Sequence, residues 1–135
     1  MSKEPRGDFM KLKHLFTINI LFAVFFGVSC TFFAGWTLRI YGLSPDAGAL
    51  WTTRLVGGSI LGFATLMAYG RRTDSQAARR AIAVALFVQD TVGFAASLAI
   101  QLGGRINALG WSNPALYGAL ALGYAYFLFV RPDAS

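Results

Sequence analysis

An arginine and an aspartate stand inside stretches otherwise suited to hydrocarbon: Arg54 in LWTTRLVGGSILGFATLMAYG and Asp90 in AIAVALFVQDTVGFAASLAIQL. An ionisable side chain at the centre of a membrane helix costs about 2.5–3.5 kcal/mol on insertion scales, so such groups pair, line a polar path or bind something. Two chemistries are open to these residues. If they meet, each charge compensates the other and the pair staples two helices. If they do not, the arginine snorkels to the interface, and a carboxyl without a cation takes up a proton, which makes Asp90 a transport or relay group. Asn19, Gln89 and Thr91 are the polar side chains at hand to join either arrangement.

Depth and direction pull apart on the question of pairing. By helical rise, Arg54 lies about 14 Å and Asp90 about 18 Å from the outer ends of their stretches, an offset that an arginine can bridge. Counted from the inner ends, the offset is about 10 Å. Helical side chains also lean toward the amino terminus, which for Arg54 points away from Asp90. The i, i+3, i+4 spacing puts Arg54 on one face with Gly57, Gly58, Leu61, Gly62 and Thr65, and Asp90 with Gly93, Phe94, Ser97 and Gln101, so both are expected to point into a bundle. The staple is the favoured reading. The chain offers no second intramembrane carboxylate and no series of titratable groups to carry a proton across.

Other chemistry is sparse. The single histidine, His14, excludes a multi-histidine metal site or a bis-histidine haem within one chain. The single cysteine, Cys30, excludes an internal disulfide and reads as a small apolar filler. There is no glycine-rich phosphate loop, no nucleophile elbow and no Ser/His/Asp set. A catalytic site built from this chain alone is not expected. No metal and no resident cofactor is predicted, although contact with lipid, a quinone or a pigment at an interface fits the composition.

The elements that carry the two charges follow from composition and pattern. Of 135 residues, 56% are hydrophobic and 13% charged, too few charges to coat a water-facing surface. An all-α membrane protein is expected, an up-down bundle of four transmembrane helices with spans at about 15–40, 45–70, 75–102 and 114–130. Leu15 to Leu38 holds no charge and rises about 36 Å as a helix, enough to cross a hydrocarbon core of roughly 30 Å. Ser44 as cap with Pro45 at the first position opens the second span, Thr73 or Asp74 caps the third, and Asn113-Pro114 opens the fourth. Gly103-Gly104 stops the third span and Arg131-Pro132 the fourth. The length of the first stretch, and the lack of a small-x-small cleavage motif after it, favour an uncleaved helix over a secretory signal.

The basic residues set the orientation. Lys3, Arg6, Lys11, Lys13, Arg71, Arg72, Arg79, Arg80 and Arg131 fall on one side and only Arg39 and Arg105 on the other, which places both termini and the basic segment 1–13 in the cytoplasm. The Arg71, Arg72, Arg79 and Arg80 loop dominates. Trp36, Tyr41, Trp51 and Trp111 form an aromatic belt at the outer boundary. The net charge of +6 sits at span ends, which suits anionic lipid rather than nucleic acid.

Small residues four apart mark where helices approach: Gly27, Thr31 and Gly35 in the first span, Gly58 and Gly62 in the second, Gly93 and Ser97 in the third, and Ala115, Ala119 and Gly123 in the fourth. The same strips could serve self-association or docking on other membrane subunits.

The runs TRLVGGSILGFATLMAYGRR, ARRAIAV and RINALGWSNPALYGALALGYAYFLF resemble small bacterial four-helix membrane proteins of the DoxX-like families and neighbouring families of unknown function. The resemblance implies an inner-membrane four-helix bundle, with some relatives described as subunits of quinone-linked oxidoreductases, and it assigns no catalytic residue. The chain does not look like a small multidrug transporter, whose glutamate lies in the first span. The expected function is that of a non-catalytic structural or accessory subunit of a larger respiratory or photosynthetic membrane assembly. A small transporter or proton-coupled channel using Asp90, and a subunit of a quinone-linked oxidoreductase, are the alternatives.

Overall fold

The structure, a computed structural model, describes residues 6–131; Lys3 and the rest of 1–5 in the basic amino-terminal segment lie outside the described residues. Every regular element among the described residues is helical: α1 (Arg6–Phe32), α2 (Ala34–Ile40), α3 (Ala47–Arg72), α4 (Gln76–Leu102), a 3-10 turn (Ala108–Trp111), and α5 (Ser112–Ala125), which runs into a π-helical turn (Tyr126–Val130). Three helical stretches are long and apolar enough to cross a membrane: Leu12–Phe32, Gln76–Leu102 and Ala108–Val130. The fourth long helix, α3, has 26 residues and about 39 Å of rise. Arg54 and its glycines and threonines make it less apolar than the others.

Local chemistry sets the boundaries a little differently from the sequence expectation. The carboxylate of Asp46, rather than the Ser44 hydroxyl, caps α3 by accepting from Ala49 N at 2.8 Å. Ser75, rather than Thr73 or Asp74, caps α4 by accepting from Ala78 N. The first span is two helices, broken at Phe33 (φ −121°, ψ 35°). No proline is needed for the break: Thr37 Oγ1 donates to the Ser29 and Phe33 carbonyls at 3.1 and 3.0 Å, and such back-bonding bends helices.

The bundle is made of two hairpins. In the first, α1 and α2 run antiparallel to α3, touching from Phe16 against Gly70 to Gly35 against Leu50. The crossing is closest at Gly27 and Gly57, where a methyl group built on Gly57 would lie 2.7 Å from Thr31 N and 2.9 Å from Gly27 O. Gly27, Thr31 and Gly35 therefore sit at the contact they were expected to make. Gly58 and Gly62 do not: nothing lies within 4 Å of a methyl group at either. Arg54, Gly58, Gly62 and Thr65 share one face, and all four are exposed. Turning Gly58 inward would drag Arg54 with it. The cost of dehydrating the guanidinium fixes the rotation of α3, and the packing face moves to Gly57, Ala64, Met67 and Gly70.

In the second hairpin, Gly93 of α4 receives the Tyr117 ring, and Gly118 of α5 lies against Phe94. Gly123 packs on Leu15 of the first hairpin, whereas Ala119, expected in the same strip, faces outward. The hairpins join through Thr73–Ser75, where the Arg79 side chain turns back and donates to the Thr73 carbonyl at 2.7 Å. Arg79 is thus buried against the end of α3 and not the exposed interface anchor expected of it; Arg71, Arg72 and Arg80 are exposed.

The packed core, including Leu12, Phe16, Met67, Leu86, Leu120 and Phe127, occupies the half of the bundle nearest this turn. At the other end the loops are tied together: Asn107 donates from N to Tyr41 O and from Nδ2 to Ile40 O, at 3.2 and 2.6 Å. Gly42, beside Asn107, takes φ +78°, a left-handed turn that a side chain would strain. The outer faces of the helices carry exposed Leu21, Phe25, Phe32, Leu122 and Phe129. Each apolar side chain of that size costs about 1.5–3 kcal/mol in water, so the surface is built for lipid. Trp36, Trp51 and Trp111 are exposed among them, at the ends of the helices away from the 73–75 turn.

Candidate functional site

Between the core and the tied loops the two hairpins part. The gap is a cavity of about 400 Å³ lined from every long helix. From α1 come Asn19, Phe22, Phe26 and Cys30; from α3, Val56, Ile60 and Phe63; from α4, Gln89, Asp90 and Ser97; from α5, Leu116, Tyr117 and Leu120. Small-molecule sites occupy roughly 300–1,000 Å³, mostly apolar with a few placed polar groups. The cavity's volume and its mostly apolar lining with a few polar groups fall in that range.

Asp90 is its chemical centre. It lies near the middle of α4, about 18 Å by helical rise from Leu102, and is only 3% exposed. Its Oδ2 is buried without a hydrogen-bond partner, as is Oε1 of the adjacent Gln89. Both residues line the cavity.

Arg54 takes no part. It is exposed on the far face of α3, contributes nothing to the cavity wall and makes no ion pair with Asp90, so the expected staple is absent. Of the two burial expectations, the one for Asp90 holds and the one for Arg54 does not. A guanidinium one or two turns from a helix end reaches the interface along its own stem, while a short carboxyl at mid-helix has no such escape.

Asn19, the other polar residue expected inside, is buried and committed elsewhere. Its Nδ2 donates to Tyr124 Oη at 2.9 Å, and that hydroxyl faces Met67 Sδ at 3.7 Å. Tyr124 is fully buried and tilts against Phe16, ring centroids 6.0 Å apart. This cluster forms the floor of the cavity. Gln101, which shares the Asp90 face, sits at the opposite end and donates to Asn107 O at 3.2 Å, anchoring the roof.

Sequence reasoning missed Tyr117 and Tyr124, and expected Tyr41 in the boundary belt rather than in the cavity wall. The signal for the first two was present: Tyr117, Leu120, Tyr124 and Phe127 recur at three and four positions along α5, the stripe of a buried face. Tyr41 reaches the cavity only through the bend at Phe33, which no residue in the sequence announces.

Among the described residues no three His, Cys, Asp or Glu side chains gather, and His14 is exposed. What the cavity can do is bind an apolar body of modest size and present to it one carboxyl and one amide oxygen in a low-dielectric wall. Compared with protein-family models, with curated proteins and with solved structures, the chain matches none.

Proposed function

We propose that this chain crosses the bacterial inner membrane four times, with both termini in the cytoplasm, and acts as a small carrier that takes a largely apolar molecule into the cavity at Asp90. The observation that carries the reading is a mid-helix carboxyl, unpartnered inside the protein, in the wall of a cavity of about 400 Å³. Retaining such a group costs stability, and no cationic side chain among the described residues compensates it, so a staple does not account for it. Four crossings are supported by the antiparallel contact of α3 with α1 and α2 along its length, since a helix packed beside a spanning one shares its depth. The cavity lies in the half of the bundle away from the packed core and the 73–75 turn. Alternating access would then come from the two hairpins rocking against each other.

The test is equilibrium binding of two naphthalene probes, propylnaphthalene and naphthylethylammonium, to the protein in zwitterionic nanodiscs, with empty nanodiscs subtracted. Ser97→Phe, which fills the cavity from a part-buried wall position, weakens whichever probe binds by about tenfold or more, as lost burial of a ring predicts. Binding unchanged by Ser97→Phe refutes the site.

A second reading, an accessory subunit of a larger assembly, draws on a different surface. The face of α3 bearing Arg54, Gly58 and Gly62 is open and nearly flat, the form a second helix packs against in lipid. The two readings use opposite sides of α3.

A further inference from the structure

We propose that the molecule the cavity takes is an organic cation, an amine or ammonium on an aromatic or otherwise apolar body, whose charged head sits against Asp90 and Gln89. This deepens the carrier reading and rests on the cavity being a ligand site.

The first argument is a count of donors and acceptors. With Asp90 ionised, its Oδ2 and Gln89 Oε1 are both acceptors, both buried, and neither receives a hydrogen bond among the described residues. A buried acceptor without a donor costs about 1–3 kcal/mol, more when charged. A ligand matched to this wall therefore brings N–H or O–H groups. A quinone does not, because its carbonyls also accept, and it would leave both oxygens unsatisfied. An ammonium brings up to three donors and a charge.

The second argument is charge. An ionised carboxylate inside a membrane is matched by a cation, and no cationic side chain among the described residues pairs with Asp90. Arg54 faces outward, Arg79 is turned onto the Thr73 carbonyl at the opposite end of the bundle, and Arg39 and Arg105 are exposed at the loops. Asp90 is therefore neutralised by a proton or by a cation brought in from outside the described residues, and a ligand that carries the cation displaces the proton.

The third argument separates an organic cation from a metal ion. A calcium ion takes roughly six to eight oxygens and usually several carboxylates, and no group of three acidic, histidine or cysteine side chains exists among the described residues. The wall is instead rich in rings: Phe22, Phe26, Phe63, Tyr41 and Tyr117 line the same cavity as Asp90. Ring faces attract cations and shelter apolar bodies, and their attraction strengthens when the cation is desolvated. The aromatic wall fits both halves of such a ligand.

The experiment uses the same isosteric pair, in which only the terminal group differs: naphthylethylammonium and propylnaphthalene, bound to the full chain in nanodiscs. The wild-type protein is expected to prefer the cation by about thirtyfold or more, the low end of what removing one partner of a buried charge pair costs. Asp90→Asn abolishes that preference while still binding the neutral probe, which shows that the variant is folded. If wild type binds both probes alike, and Ser97→Phe weakens both, the cavity is a ligand site for neutral molecules and the cation inference is overturned while the carrier reading stands. If neither probe binds in a manner sensitive to Ser97→Phe, both fall. Because the wild-type preference is measured without any variant, misfolding of Asp90→Asn cannot rescue the inference.

Discussion

Adjacent glycines in α3 should respond to the same methyl group in opposite directions. At Gly57 the added carbon would lie 2.7 Å from Thr31 N and 2.9 Å from Gly27 O, where ordinary contact begins at 3.4 Å. The offending atoms belong to backbone, so relief requires α1 and α3 to move apart by half an ångström or more, loosening the longest interface in the bundle. Overpacking of this kind costs about 1–3 kcal/mol, set against about 1 kcal/mol gained because alanine is the better helix former. At Gly58 nothing lies within 4 Å, and only the gain remains. Gly57→Ala should therefore be less stable than Gly58→Ala by about 1–3 kcal/mol, the overpacking cost that separates them. Unfolding by denaturing detergent in mixed micelles, or steric trapping in bicelles, reads the difference. Equal stabilities, or a Gly58→Ala that is the weaker of the two, would refute the rotation of α3 on which the placement of Arg54 depends.

Three further outcomes follow from the geometry. A double-mutant cycle between Arg54→Gln and Asp90→Asn should return a coupling within about 0.5 kcal/mol of zero, as for independent sites; a stapled pair would show more. Tyr124→Phe removes the acceptor for Asn19 Nδ2 and leaves a buried amide unsatisfied, so it should cost about 1–3 kcal/mol in the same unfolding assay, and no loss would show that the floor of the cavity is not held by this bond. In a Cys30→Ala background, an impermeant thiol reagent should label Asp74→Cys from the cytoplasmic side only and Arg105→Cys from the outside only; the reverse pattern, or one side for both, removes the four-span topology.

Much of this was legible in the residues, and the failures have physical causes. Long apolar runs and terminal arginines mark the helices because lipid imposes composition directly. Gly27 and Gly93 could be placed at contacts because a methyl group there would come within 3 Å of Leu61 or Tyr117. Gly58 and Gly62 satisfied the same spacing and are exposed, since spacing identifies a flat face without saying which way it turns. That choice was made by Arg54, whose hydration outweighs the packing of two glycines. Asp90 was correctly sent inward, but its partner was sought in the one nearby cation of the chain. The parting of the hairpins is a tertiary outcome: it depends on the core gathering near the 73–75 turn, on the bend at Phe33 and on Asn107 tying the far loops, and no local pattern encodes the three together. The site rests on side chains alone.

The most direct test of the cavity as a ligand site uses the protein's own reporter. Cys30 is the sole cysteine and lines the cavity. The rate of its alkylation by N-ethylmaleimide in nanodiscs should fall severalfold when naphthylethylammonium is added to the wild type, and the same addition should leave the rate in Ser97→Phe nearly unchanged. An alkylation rate in the wild type that is indifferent to saturating probe would contradict the account.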